Sequence, residues 1–322
     1  MTQPIEQIER ASAEALTSDT MLSVVIPTYN EAHRLPRTLR EVHPYLCRRF
    51  PRHEIVVVDD NSPDGTAELA ERIGEELGSV RVLVQPGRLG KGAAVRRGCL
   101  ESRGDHVLFM DADHATPIDE LDEMFPILQR LGSGAVVGVR TYQEDERRWR
   151  RIVGLGAQLL AHLIVFRKAV CDSQCGFKLF SRDVVEKVFP RCRVNGGMLD
   201  VEIFFLLHIH DIPCRYHPVH WANKDGSRIS VLRCMVRDPI DMLRIRLRGR
   251  LGIYQRAIPA ERQPWCDQAG AELTGARETR AVNLHPRGVV PLATEAAAGP
   301  RVVGYVAGGA PMSTSSIERP AA

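Results

Sequence analysis

Short apolar runs alternate with helix-spaced segments over the first part of the chain. Leu22-Ser23-Val24-Val25-Ile26, Glu54-Ile55-Val56-Val57-Val58, Val80 to Val84 and Val107-Leu108-Phe109-Met110 have strand length and no helical spacing. Between them, Leu35, Leu39, Val42 and Leu46 recur at helical intervals, with Asn30 as the expected N-cap. Leu69, Ile73 and Leu77 share one face of a helix over 66–77. Gly87-Arg88-Leu89-Gly90-Lys91-Gly92 opens a further helix that runs to Ser102. Strands that are apolar throughout and alternate with helices predict an α/β domain, a mostly parallel sheet covered on both faces.

Ligands of such sheets bind outside the carboxyl ends of the strands. Three polar clusters fall there: Pro27–Glu31, Asp59–Asp64 and Asp111–Asp113. In the last, Asp111 and Asp113 flank Ala112. Two carboxylates one residue apart repel unless a cation lies between them, and hard oxygens suit Mg²⁺ or Mn²⁺ carrying a nucleotide diphosphate. The other reading of this D-x-D is a solvated acidic turn. The first βα turn carries no G-x-G-x-x-G, which disfavours a dehydrogenase, and the glycines at 87, 90 and 92 do not match the phosphate loop G-x-x-x-x-G-K-[ST]. They form either a mobile loop that brings Lys91 to a phosphate or a plain glycine-containing helix start.

At 322 residues and 44% hydrophobic, the chain holds one large domain with extras, or two domains. A net charge of +3 gives no global basis for binding nucleic acid. The eight cysteines include no C-x-x-C pair, as expected of reduced thiols in a cytosolic protein. Residues 1–20 are polar, lack the apolar core of a signal peptide and read as a flexible leader. No apolar run reaches the ~18 residues of a membrane-spanning helix.

V-V-I-P-T-Y-N-E, V-V-V-D-D-N-S-P-D-G-T, G-K-G-A-A-V-R-R-G and D-A-D together resemble the inverting glycosyltransferases of the GT-A fold, family 2 type, from about Leu22 to Tyr254. Asp172-Ser173-Gln174-Cys175-Gly176-Phe177-Lys178-Leu179-Phe180 resembles a segment of the dolichyl-phosphate β-glucosyltransferases, whose plan the dolichyl-phosphate mannose enzymes share. The resemblance implies a Rossmann-like GT-A domain. It assigns Pro27, Tyr29 and Glu31 to the nucleotide base and ribose, and Val58 and Asp60 to the base. It assigns Asp111, Ala112 and Asp113 to the metal and diphosphate, and Arg140 to the neighbourhood of the sugar diphosphate. Arg140, Lys178 and Arg228 become the candidates for the phosphates. Arg228 stands where relatives carry lysine, which keeps the charge and changes the geometry of the head.

The implied reaction moves a hexose from a UDP-glucose or GDP-mannose type donor to a polyprenyl or dolichyl phosphate, with inversion. A phosphate monoester has a second pKa of ~6, so the acceptor is already anionic and needs no general base. A membrane-embedded partner protein is compatible with this plan. Two rivals stand beside it. A polysaccharide synthase would carry Q-x-x-R-W, and here four residues, not two, separate Gln143 from Arg148-Trp149. A silent nucleotide-sugar-binding protein at a membrane surface is disfavoured by the intact D-x-D.

Residues 149–170 are apolar with basic ends; Arg150, followed by Gly154 where relatives have serine, either meets the acceptor or belongs to a surface helix. Asp200 and Glu202 open a helix, where they serve its N-terminal charge or the sugar and acceptor region. His208 and His210 fall on different helix faces and make no metal pair. Ile229, Leu232, Val236, Ile240, Leu243 and Leu247 recur among arginines, with Pro239 expected to kink or split the helix. Such a basic amphipathic segment either lies on a membrane surface or packs on the catalytic domain. The expected organisation is a leader (1–20), a GT-A domain (21–228), basic amphipathic membrane-surface helices (229–254) and a mostly disordered tail (255–322). The expected location is cytoplasmic, peripheral to the cytoplasmic face of a membrane.

Overall fold

Seven strands form one sheet in the order β3-β2-β1-β4-β6-β5-β7 in the computed structural model, which describes residues 20–141, 175–222 and 231–256. The leader, Gln143, Arg148 to Gln174 with Arg150, Arg228 and the tail from 257 lie outside the described residues. The strands are β1 (Leu22–Thr28), β2 (His53–Asp59), β3 (Val80–Val84), β4 (His106–Met110), β5 (Ala135–Thr141), β6 (Phe177–Ser181) and β7 (Cys214–His220). The helices are α1 (Leu35–Arg49), α2 (Thr66–Leu77), α3 (Lys91–Glu101), α4 (Leu121–Leu131), α5 (Arg182–Val188), α6 (Leu199–Ile209) and α7 (Val231–Arg250).

β1, β2, β3 and β4 are mutually parallel; β6 runs antiparallel to β4 and to β5, and β7 parallel to β5. The sheet is therefore mostly parallel, as the apolar strands predict. The carboxyl ends of β1, β2, β4, β5 and β7 and the start of β6 share one edge. Strand order reverses between β1 and β4, which makes their loops the switch-point crevice of the sheet.

Alternation along the strands feeds two cores. Val24, Ile26, Ile55, Val57, Leu108 and Met110 pack towards α1, α2 and α4. Val25, Val56, Val58, Val107 and Phe109 pack towards α3, α5, α6 and α7. The two edge strands, β3 and β7, are partly exposed along their length.

Two local expectations change. The N-cap of α1 is Arg34, not Asn30, and the helix opens on Leu35-Pro36, because proline's missing N–H costs nothing in the first turn. Asn30 instead sits in the left-handed region at φ 57°. Pro239 does not split α7, which runs through it. The inner face of α7 is part of the core: Met242, Ile245 and the following Tyr254 are buried with the α6 residues. Among the described residues, no helix is long and apolar enough to cross a membrane.

Candidate active site

The crevice is built from loops that brace one another. Fully buried Asp59 ends β2 and accepts hydrogen bonds from Ser62 N (2.7 Å), Ser62 Oγ (2.6 Å) and Thr28 Oγ1 (3.1 Å). The loop so formed holds the one after β1: Asn30 N donates to Ser62 Oγ, Glu31 N to Thr66 Oγ1 and Ala32 N to Asp64 Oδ2. Glu31 pairs bidentately with Arg34 at 2.6 Å through both oxygens. That bond leads in holding the Arg34 guanidinium above its ordinary value, and the charges of Asp113 and Asp111 add to it. The Arg88 guanidinium lies 4.0 Å over the Tyr29 ring, a cation–π stack at the mouth of the crevice.

Asp60 has a definite task in this conformation. Its carboxylate accepts from Leu89 N (2.8 Å) and from Gly90 N (2.8 and 3.0 Å), pinning the segment that leads into α3. Burial pushes the Asp60 carboxyl above its ordinary range, against those two amides and Arg88. The glycines here serve close approach. A Cβ at Gly92 would lie 2.7 Å from Gly196 O and 2.8 Å from Val194 O, and Gly90, at φ 108°, backs onto Asn195 O. Gly92 N also donates to Asn195 O. The segment is a clamped helix start that aims Lys91 into the crevice.

The acidic loop leaves β4 directly. Thr38 Oγ1 on α1 donates to Ala112 O at 2.7 Å, and Asp111 N donates to Gly176 O at 3.0 Å. Ala112 is buried, so what it presents is its backbone. Asp113 Oδ1 accepts from Ala115 N at 3.0 Å. His114, at φ 51°, accepts from Ile118 N at Nε2 and donates from Nδ1 to Glu41, which holds the far side of the turn. Gly176 backs the first acid: a Cβ there would overlap both carboxylate oxygens of Asp111.

Asp111 Oδ1 lies 2.6 Å from Lys91 Nζ. Burial pulls the Lys91 ammonium down, but Asp111, Asp200 and Asp113 together overcome it and leave its pKa raised. Beneath, the side chain of Lys178 is fully buried on β6, 2.7 Å from Asp200 Oδ1 and also donating to Cys175 O. Both ammonium groups lie over the Phe109 ring, Lys91 Nζ at 5.3 Å and Lys178 Nζ at 5.4 Å from its centroid. A cleft of about 210 Å³ opens on one side of Asp111, lined by Thr116, Gly176 and Trp221; a second of about 170 Å³ lies between Lys91, Phe109, Gly196 and Asp200.

These residues fit a divalent ion. The acids are hard oxygen donors, and glycine at 176 leaves room for one of them. A positive charge already rests on Asp111 in this conformation. Asp111 and Asp113 are the residues that would hold the ion.

The expected site residues distribute unevenly. Tyr29, Glu31, Asp60, Lys91, Asp111, Asp113 and Arg140 gather at the carboxyl edge, with the Arg140 guanidinium 5.4 Å over the Trp221 ring. Pro27 and Val58 are buried inside the strands, and Val58 abuts Gly98 of α3, so their side chains offer a ligand no exposed surface. Lys178 is enclosed in its ion pair and does not face the crevice; its cross-strand partner Phe109 and Asp200 cover it. Glu202 lies in the first turn of α6 and is fully buried. It accepts from Arg193 N and Val194 N and from the Tyr254 hydroxyl, with Arg248 at 3.8 Å, so it fastens α7 to α6. Burial is the main cause raising its pKa. Sequence reasoning placed Asp59 in a polar cluster at the strand ends without giving it a role, and gave no role to Arg34, Thr38, Arg88, Gly176 or Trp221. Of these, only the run of turn-forming polar residues around Asp59 carried a local signal.

Residues 23–189 match the family described as Glycosyl transferase family 2. A dolichyl-phosphate beta-glucosyltransferase of Trichomonas vaginalis is 36% identical over 247 residues, covering 72% of this chain and 75% of the relative. The dolichyl-phosphate beta-glucosyltransferase of Homo sapiens is 33% identical over 251 residues, covering 73% and 77%. Among solved structures, glucosyl-3-phosphoglycerate synthase from Mycobacterium tuberculosis in complex with Mn²⁺ and uridine-diphosphate-glucose superposes with a TM-score of 0.56 at 20% identity, over 75% of this chain and 83% of that one. That likeness speaks for the fold.

Proposed function

The chain belongs to glycosyl transferase family 2 and is a glycosyltransferase, and from that premise we propose that it moves glucose from UDP-glucose to a polyprenyl phosphate of the dolichyl type, with inversion. The likeness to dolichyl-phosphate beta-glucosyltransferases carries this reading. The chemistry of the crevice agrees with it. A bound Mg²⁺ or Mn²⁺ would neutralise the charge that develops on the leaving diphosphate. Asp111 and Asp113 would present oxygens to it from opposite sides of Ala112. Tyr29 and Glu31 line the nucleotide end, with Asp60 holding the Lys91 segment against it. Lys91, at the start of α3, has a flexible stem long enough to leave Asp111 for a phosphate oxygen. Arg140 and Arg228 are proposed for the phosphates, and Lys178 supports the floor through Asp200.

No residue has to deprotonate the acceptor, because a phosphate monoester is anionic at neutral pH. What the protein must supply is alignment of two anions, an entropic task. A lipid acceptor also requires approach to a membrane. Ile240, Leu243, Leu247 and Leu251 are exposed at helical intervals on and just beyond α7, at 43%, 58%, 56% and 56% of full exposure. Arg244 and Arg250 flank them, and Asp241, Met242 and Ile245 turn inward. That outer stripe suits the headgroup boundary of an anionic leaflet on the cytoplasmic face.

The test is transfer by purified protein from a panel of UDP- and GDP-sugars, with Mg²⁺ or Mn²⁺, to a short prenyl phosphate and to soluble sugars. The expected product is a β-linked glucosyl lipid phosphate from UDP-glucose, lost in Asp113→Ala at saturating Mn²⁺. GDP-mannose as the preferred donor would change the sugar, and turnover only with soluble acceptors would overturn the lipid reading.

A further inference from the structure

The last two turns of α1 and the first residue of β2 meet at the edge of the sheet opposite the acids. His43 and Cys47 lie one helical turn apart, so their side chains share a face. Cys47 Sγ is 3.5 Å from His43 Nε2 and 3.8 Å from its Nδ1. The His53 ring stands edge-on to the His43 ring, with centroids 5.7 Å apart. One ligand atom from each of the three residues falls within 4.8 Å of the others. Tetrahedral zinc with Zn–S of about 2.3 Å and Zn–N of about 2.05 Å needs ligand separations of about 3.4–3.6 Å. The sulfur–nitrogen edge is therefore already at zinc spacing, and a small movement of one ring closes the rest.

A second feature singles out His53. Its Nδ1 lies 2.7 Å from the carbonyl oxygen of Phe50, which can only accept, so Nδ1 carries the proton and Nε2 the lone pair. A backbone carbonyl fixing the tautomer of the ring is the outer-shell arrangement of ligating histidines. Ser79 Oγ lies 3.2 Å from that Nε2 and now satisfies it. Cys47 is exposed, so an ion has an entry path from solvent.

We propose that His43, Cys47 and His53 bind a zinc ion, with water or Ser79 Oγ in the fourth position, tying the end of α1 to the start of β2. One thiolate and two imidazoles select a borderline-soft cation, whereas Asp111 and Asp113 present hard oxygens. The two positions therefore discriminate between metals. The thiol proton is released to solvent on binding, and zinc undergoes no redox change. This inference is independent of the reaction proposed above.

The experiment strips the full-length protein with chelator and titrates it with Zn²⁺ and with Co²⁺, in the wild type and in Cys47→Ser. One equivalent of Co²⁺ should give a thiolate-to-cobalt charge-transfer band that Cys47→Ser loses. Zn²⁺ affinity should fall at least tenfold in the variant, and Zn²⁺ should raise the melting temperature of the wild type only. Mn²⁺-dependent UDP binding, unchanged in Cys47→Ser, reports that the variant is folded. Co²⁺ bound without a sulfur band, or equal Zn²⁺ affinity in the two proteins, overturns the proposal and leaves the cysteine–histidine contact as a plain hydrogen bond. Should Cys47→Ser fold poorly, His43→Gln, which keeps the thiol, gives the same reading: Zn²⁺ affinity at least tenfold lower supports the site, and unchanged affinity overturns it.

Discussion

Replacing Lys91 by methionine removes the ammonium that lies 2.6 Å from Asp111 Oδ1. At that separation, unit charges attract by ~6 kcal/mol at an effective dielectric of 20. The two side chains are 43% and 35% exposed, so solvent screens most of this. A charge-assisted bond of this kind retains about 1–2 kcal/mol net. A divalent ion entering without nucleotide must give up that amount to displace the lysine from Asp111. Lys91→Met should therefore bind Mn²⁺ alone about tenfold more tightly than the wild type, since about 1.4 kcal/mol is one decade. In the wild type, UDP should strengthen Mn²⁺ binding, because its phosphates receive the released ammonium. In the variant this enhancement should shrink. Calorimetry or electron paramagnetic resonance of Mn²⁺, with and without UDP, reads both quantities directly. Equal affinity for Mn²⁺ alone in the two folded proteins would refute the claim that Lys91 acts as the internal counter-ion of the empty crevice.

Gly176→Ala places a methyl group into the carboxylate of Asp111, so glucosyl transfer should fall at least a hundredfold while circular dichroism stays native. Lys178→Met leaves Asp200 buried without its partner and should cost about 3–5 kcal/mol in urea unfolding, and Lys178→Met with Asp200→Leu should recover much of that loss. Burial lowers the pKa of His106 below its ordinary 6.5, outweighing the pull of Asp105 and Asp183 and helped by Arg182. The unfolded chain therefore takes up this proton first: stability is complete above pH 6.5 and falls as the pH drops from there towards the folded value. His106→Leu should flatten the slope of melting temperature between pH 7 and pH 5. Leu243→Glu with Leu247→Glu removes apolar insertion worth about 1 kcal/mol or more per leucine, so binding to anionic vesicles, read by flotation, should drop at least tenfold.

The first four strands and three helices were legible because their signals are local. Val56-Val57-Val58 and the Leu69–Ile73–Leu77 spacing report their periodicity within a few residues. The sequence also put the acidic pair at a strand end, and β4 ends at Met110, immediately before Asp111. The motif set pointed to GT-A glycosyltransferases, and the family match agrees. Tertiary structure decided how the charged residues are used. Lys178 reads as a phosphate ligand until Asp200, 22 residues away, encloses it. Asp60 reads as a base contact until the amides of Leu89 and Gly90 occupy its oxygens. Glu202 stands in the first turn of α6, as its helix-start reading implies, but the Tyr254 hydroxyl that closes over it comes from 52 residues further on. Apolar burial follows from the residue type and its spacing, which the chain carries locally. The fate of a charge depends on which partner meets it after folding, and that partner is remote in sequence.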